Sequence, residues 1–203
     1  MTDLIKVSSG LTGKMQDMTV ITTAMTQNDN CKRLSAIKGS ICEHCYSRQS
    51  LAYRHKVRTC YEKNGDILSG GLIPDNQLPY INSVICRLES HGDLINETHL
   101  QNYINLVQKN PHCMFALWTK QYAIILSYFK NHTQPDNLIV VVSSPIIGRE
   151  IDLTPYKKLG MNVKSFTVYP KGTIDVNCGD KHCIDCRVCY TKDSTQTIKE
   201  VLK

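Results

Sequence analysis

From about residue 18 to 169 the chain alternates β-branched runs with helix-patterned stretches, and no other feature limits its fold as much. Met18 to Ala24 (MTVITTA), Tyr80 to Leu88 (YINSVICRL), His112 to Thr119 (HCMFALWT), Leu138 to Val142 (LIVVV) and Asn162 to Tyr169 read as strands. Asn28-Asp29-Asn30 reads as a break before Cys31, and Gly39-Ser40 as a turn. From Glu43 to Asn64 no Gly or Pro interrupts the chain, which predicts one long helix stopped by Asn64-Gly65. Gly70-Gly71, Pro74 and Pro79 mark residues 65–79 as a loop. Asn96 is placed to cap a helix carrying Leu100, Tyr103, Ile104 and Val107 on one face, ended by Asn110-Pro111. Short helices are expected at Gln121 to Lys130 and Pro155 to Leu159, and residues 191–203 read as a polar tail or one helical turn.

Such alternation implies an α/β fold with a largely parallel sheet and helices packed outside it. Five or six strands are too few for a complete eight-stranded barrel, so a partial or small βα barrel is expected. The expected architecture is a single domain over 1–203, its core at about 18–169, with cysteine-rich metal-binding segments at both ends. Functional groups of parallel sheets gather at the C-terminal ends of strands. That rule selects Glu89, His91 and Asp93, then Thr119 and Lys120, then Ser143 and Ser144. Of these, Glu89, Asp93 and Lys120 are the candidates for catalysis, as substrate-holding groups or a general base.

Two groups of cysteines flank this core. Cys178, Cys183, Cys186 and Cys189 lie in the run NCGDKHCIDCRVCY, the last three at every third position. Cys31, Cys42 and Cys45 form a looser N-terminal trio. Thiolates are soft ligands for iron–sulfur clusters and zinc, and four saturate a 4Fe-4S cluster or a tetrahedral zinc. The Cys-x2-Cys-x2-Cys rhythm matches the ferredoxin run better than the paired knuckles of zinc sites. Two arrangements satisfy the spacing. The trio holds a second cluster with one open iron, or Cys42 and Cys45 share a single site with the C-terminal cysteines. His44 and His182 stand beside these groups as ordinary loop residues or additional partners. Cys60, Cys86 and Cys113 fall within a helix and two strands and read as core.

The net charge is +6, with eight basic residues against two acidic ones between Cys31 and Lys63. Arg48, Arg54, Lys56 and Arg58 are thus candidate nucleic-acid contacts, or the solvated face of a helix beside an anionic cluster. No apolar run is long enough to span a membrane, and the N-terminus lacks a signal-peptide h-region. A cytoplasmic location with reduced thiols is expected rather than a disulfide scaffold. The oligomeric state leaves no trace in the sequence. Gly-x-Gly-x-x-Gly, Walker, His-Glu-x-x-His and Gly-x-Ser-x-Gly motifs are absent.

The order Cys31…Cys42-x2-Cys45-Tyr46, Arg87…Ser90-x-Gly92-Asp93, Phe115…Trp118-Thr119-Lys120 and Cys183-x2-Cys186-x2-Cys189-Tyr190 resembles the phage gene product 88 family, over about residues 10 to 190. The resemblance implies a phage or prophage origin, hence a host cytoplasm, and an iron–sulfur site. The layout is more distantly similar to radical S-adenosylmethionine enzymes, which implies S-adenosylmethionine as a further ligand. It departs from theirs in the ten-residue gap between Cys31 and Cys42, and in Gly92-Asp93 where they often carry Gly-Gly-Glu. The function expected is that of an iron–sulfur protein with redox or radical chemistry. The alternative is a nucleic-acid-binding module stapled by zinc or a cluster.

Overall fold

A computed structural model describes residues 4–202 apart from Gly10 and Asp180. Its six strands are β1 (Thr19–Ile21), β2 (Ile85–Leu88), β3 (Met114–Thr119), β4 (Leu138–Ser143), β5 (Val163–Tyr169) and β6 (Thr197–Val201). They form one sheet, every neighbouring pair parallel, in the same order as the sequence. The order never reverses, unlike that of a doubly wound sheet. β1 and β6 are the two edges and do not pair with each other.

Between β1 and β2 lie α1 (Asp29–Ser35), α2 (Tyr46–Tyr53) and α3 (His55–Gly70). α4 (Glu97–Lys109), α5 (Tyr122–Phe129) and α6 (Thr154–Lys157) follow β2, β3 and β4, and α7 (Cys183–Cys186) follows β5. Alternate residues of each strand point to opposite faces. Ile21, Cys86, Leu88, Phe115, Leu117, Val140 and Val142 pack in one cluster with residues of α3, α4 and α5, including Leu68, Leu100, Tyr103 and Ile125. The other face, with Val20, Ile85, Ala116, Ile139, Val141, Phe166 and Val168, is covered instead by Leu11, Met15, Ile41 and the segment Cys183 to Tyr190. The longer helices thus cover one face, and the cysteine-rich loop fills the other.

Four expectations need correction. The helix expected over 43–64 is two helices, broken at Arg54, whose φ and ψ of −101° and 64° leave the helical region. Asn64-Gly65 does not stop α3. Asn64 is buried because its amide bonds to Lys6 O and Thr22 O while its Oδ1 accepts Lys6 N. Gly65 admits Gln27, whose Oε1 would lie 2.3 Å from a Cβ built there. Both residues serve packing, and α3 runs on to Gly70, into the region expected to be a loop. Asn28 does not break the chain but caps α1, its Oδ1 accepting Cys31 N at 3.0 Å. Residues 197–201 are neither tail nor helix but strand β6, in register with Ser165 to Tyr169. Its one fully buried side chain, Ile198, gives little periodic signal. The first two expected strands are also shorter than their apolar runs, at Thr19–Ile21 and Ile85–Leu88.

Candidate functional site

The N-terminal cysteines are held over the C-terminal ends of the strands by bonds from the segment joining β1 to α3. Asn28 donates to Asp93 O and Leu94 O, at 3.0 and 2.6 Å. Ser47 donates to His91 O at 2.6 Å, and the Tyr46 hydroxyl donates to Ser90 O. Ile41 N donates to Pro145 O beyond the end of β4, at 2.9 Å. Cys31 therefore sits on α1, Cys42 in a 3-10 turn (Ile41–His44) and Cys45 at the N-cap of α2, all half-buried. The Cys31 thiol, pushed up by burial, lies within electrostatic reach of Asp93, Lys120, Cys42 and Cys45. Lys120, Cys45 and Asp93 also act on Cys42.

The C-terminal cysteines form a second set. Cys178, Cys183, Cys186 and Cys189 line one pocket with Lys14, Arg187 and Tyr190. α7 is a single turn carrying Cys183 and Cys186; Arg187 then takes a left-handed conformation, φ 51°, and Cys189 lies in a 3-10 turn (Val188–Tyr190). That reversal folds the spacing into a loop. The Cys178 Sγ lies 2.8 Å from Lys14 Nζ, which also pairs with Glu200 at 2.9 Å. Burial works against the Lys14 charge, but the bonds to Cys178 and Glu200 outweigh it and hold the ammonium up to about 12. Burial raises Cys189 to about 12, and Arg87 opposes that rise. Lys164, itself buried, reaches from β5 to Val188 O and Asp193 and pins the loop to the sheet. The other end is tied by Cys178, whose backbone bridges Glu200 of β6. The thiols group as two sets, each acting electrostatically on its own members, and Cys178, Cys183 and Cys189 border the apolar cluster on the second sheet face. Among the described residues, no three His, Cys, Asp or Glu side chains converge as ligands of a single ion.

The three catalytic candidates occupy different places. Glu89 is 2% exposed. It accepts from Thr22 Oγ1, Thr23 N, Thr23 Oγ1 and, at 2.7 Å, the Tyr103 hydroxyl. His99 Nδ1 accepts Ile95 N, which leaves Nε2 to carry the proton, 3.4 Å from Glu89 Oε1. Burial opposes the Glu89 charge, but these bonds, led by His99, hold its carboxyl below the ordinary value. Glu89 ties the ends of β1 and β2 to α4. Asp93 accepts from Thr119 Oγ1 at 2.5 Å and from Lys120 N at 2.8 Å, and burial raises it to about 6. Lys120 is half-buried, within electrostatic reach of Asp93 and two thiols of the trio. Gly92 is forced: a Cβ there would lie 2.7 Å from Thr23 O.

Other expectations sort as follows. Ser143 and Ser144 are buried at the end of β4. Cys86 and Cys113 are fully buried, whereas Cys60 is half-buried beside Tyr61 and Leu51. His44 and His182 are exposed. Arg48, Arg54 and Lys56 are exposed, while Arg58 is half-buried and 3.8 Å from Glu62. Sequence reasoning missed Lys14, gave Arg87 and Tyr46 no role beyond the family motif, and read Trp118 as core. Arg87 lies over the Trp118 ring, 4.2 Å from its centre, and acts electrostatically on Cys183, Cys189 and Tyr46. Lys14 and Arg87 come from elements distant in sequence from the cysteines they approach, so spacing carried no sign of them. His91, between the rings of Tyr46 and Tyr61, is lowered to about 4 by burial and then by Arg87.

The chain belongs to the gene product 88 family, a phage protein family whose model matches residues 6–199. No curated protein and no solved structure matches it. No described helix is long and apolar enough to cross a membrane.

Proposed function

We propose that this member of the gene product 88 family is an iron–sulfur protein with two centres, acting in redox or radical chemistry at the N-terminal one. The observation that carries the reading is the separation of seven thiols into two sets, each beside its own cations. Four thiols in one pocket, with Lys14 on Cys178 and Arg87 near Cys183 and Cys189, fit a saturated cluster. Three half-buried thiols at the strand ends, with Lys120 beside them, fit a cluster that keeps one iron open to substrate. When bound, such clusters supply one-electron transfer.

The chain's own residues orient and charge-balance. Lys14, Arg87 and Lys120 offset thiolate charge; Asn28, Tyr46 and Ser47 hold the trio's loop against the Ser90 to Asp93 segment. Asp93 orients Lys120 through its backbone, while Glu89 supports from behind. The unreversed strand order and one-sided helix cover support a partial βα barrel open toward the cysteines. A reducing cytoplasm suits free thiols.

Anaerobic purification followed by iron, sulfide and zinc analysis tests the reading. A brown protein holding iron and sulfide in equal amounts is expected; a colourless protein holding zinc alone overturns it. S-adenosylmethionine is the first co-substrate to try at the trio, with 5′-deoxyadenosine release from reduced protein as the readout.

A further inference from the structure

We infer that the exposed face of α2 is a docking surface for a single-stranded nucleic acid, which it leads to the mouth of the N-terminal trio. Tyr46, Gln49 and Tyr53 share one face of α2, at i, i+3 and i+7. Tyr46 and Tyr53 are 55% and 85% exposed, although tyrosine usually buries its ring. Two turns of helix set them about 10 Å apart. Tyr53 sits at the break between α2 and α3, so neither helix covers its ring. Tyr46 is anchored by its hydroxyl and rests against the His91 ring on one side.

The charge around these rings is uncompensated. Ala52 to Lys56 is a continuous exposed stretch, and Arg54 and Lys56 enter no ion pair among the described residues. The Arg48 guanidinium donates only to Glu43 O among the described residues. The nearby acids are engaged: Glu43 accepts Gly39 N and Glu62 pairs with Arg58. Exposed aromatic platforms interleaved with free cations are what unpaired bases and their phosphates require. A duplex keeps its base faces stacked inside and offers the tyrosines nothing but backbone. Tyr46 follows Cys45 directly, and its hydroxyl lies within electrostatic reach of Lys120. A strand stacked along α2 therefore ends at the trio. Its being the substrate rests on the iron–sulfur reading; its docking does not.

Fluorescence anisotropy of labelled oligothymidylate and oligouridylate, about 12 nucleotides long, with the full chain tests this. Binding should weaken steeply between about 50 and 200 mM salt. Tyr53→Ala should weaken it about ten-fold and Tyr53→Phe hardly at all, because the ring face and not the hydroxyl carries stacking. Arg54→Gln with Lys56→Gln should lower the salt slope by about 1.4. The oligothymidylate and oligouridylate arms separate DNA from RNA through the 2′-hydroxyl. The inference is overturned if no binding occurs at low salt, if Tyr53→Ala binds like wild type, or if a duplex of equal length binds as tightly. Circular-dichroism melts of the variants exclude misfolding. Binding by iron-free protein leaves the docking standing while the cluster reading falls; an iron-loaded protein that ignores both oligonucleotides does the reverse.

Discussion

Glu89 adopts a left-handed backbone, φ 62°, while its carboxylate collects donors from the end of β1 and from α4. An anion buried this way is stabilising only while its donors are aimed at it. Glu89→Gln replaces an acceptor-only group by one that brings two N–H donors into a shell of donors. Thermal or denaturant unfolding at pH 7 should show a loss of about 1.5–3 kcal/mol. Because folding lowers the Glu89 pKa from its ordinary 4.5, its contribution is present above that value and is lost as pH falls through the folded pKa. The gap between wild type and variant should therefore narrow as the pH falls below 4.5 and close once the pH has passed the lowered folded value. Gly92→Ala drives a methyl into the Thr23 carbonyl, which is backbone and cannot rotate away. A cost of about 1–3 kcal/mol is expected in the same unfolding measurement.

At the scale of elements, α1 depends on a single side chain. Asn28 caps its N-terminus and, through its amide, ties it to the loop after β2. Asn28→Ala should cost about 2 kcal/mol, and limited proteolysis should cut residues 29–45 faster than in wild type. The same asparagine shows where sequence reading succeeds and stops. Strands β2 to β5 and helices α4 and α5 were legible because each buries an apolar stripe or a continuous apolar run. Asn28 and Asn64-Gly65 carry the residue types of breaks, but here their side chains or lack of one serve tertiary packing. β6 escaped notice because an edge strand with one buried residue has no alternation to display. The outer edge of β6 is itself covered: Asn177 N and Cys178 N donate to Lys199 O, and Lys199 N donates to Asn177 Oδ1.

For the whole molecule, seven cysteines stood out by spacing as candidate ligands, but their partition did not, since it is made by the sheet and not by the chain. If the two sets are independent centres, Cys45→Ser should remove about half of the bound iron and leave the rest, and Cys186→Ser should do likewise. A single shared centre would lose all its iron in either variant. The balancing cations were equally invisible, for Lys14 precedes β1 and meets a cysteine 164 positions away.

Trp118 is the chain's only tryptophan. It lies on the sheet face that the cysteine loop covers, beneath the Arg87 guanidinium and against Phe166 at 4.7 Å. Its ultraviolet emission therefore has one origin. Quenching or a colour shift reports events on that face without an added dye, so the unmodified protein is its own sensor of the iron binding proposed there.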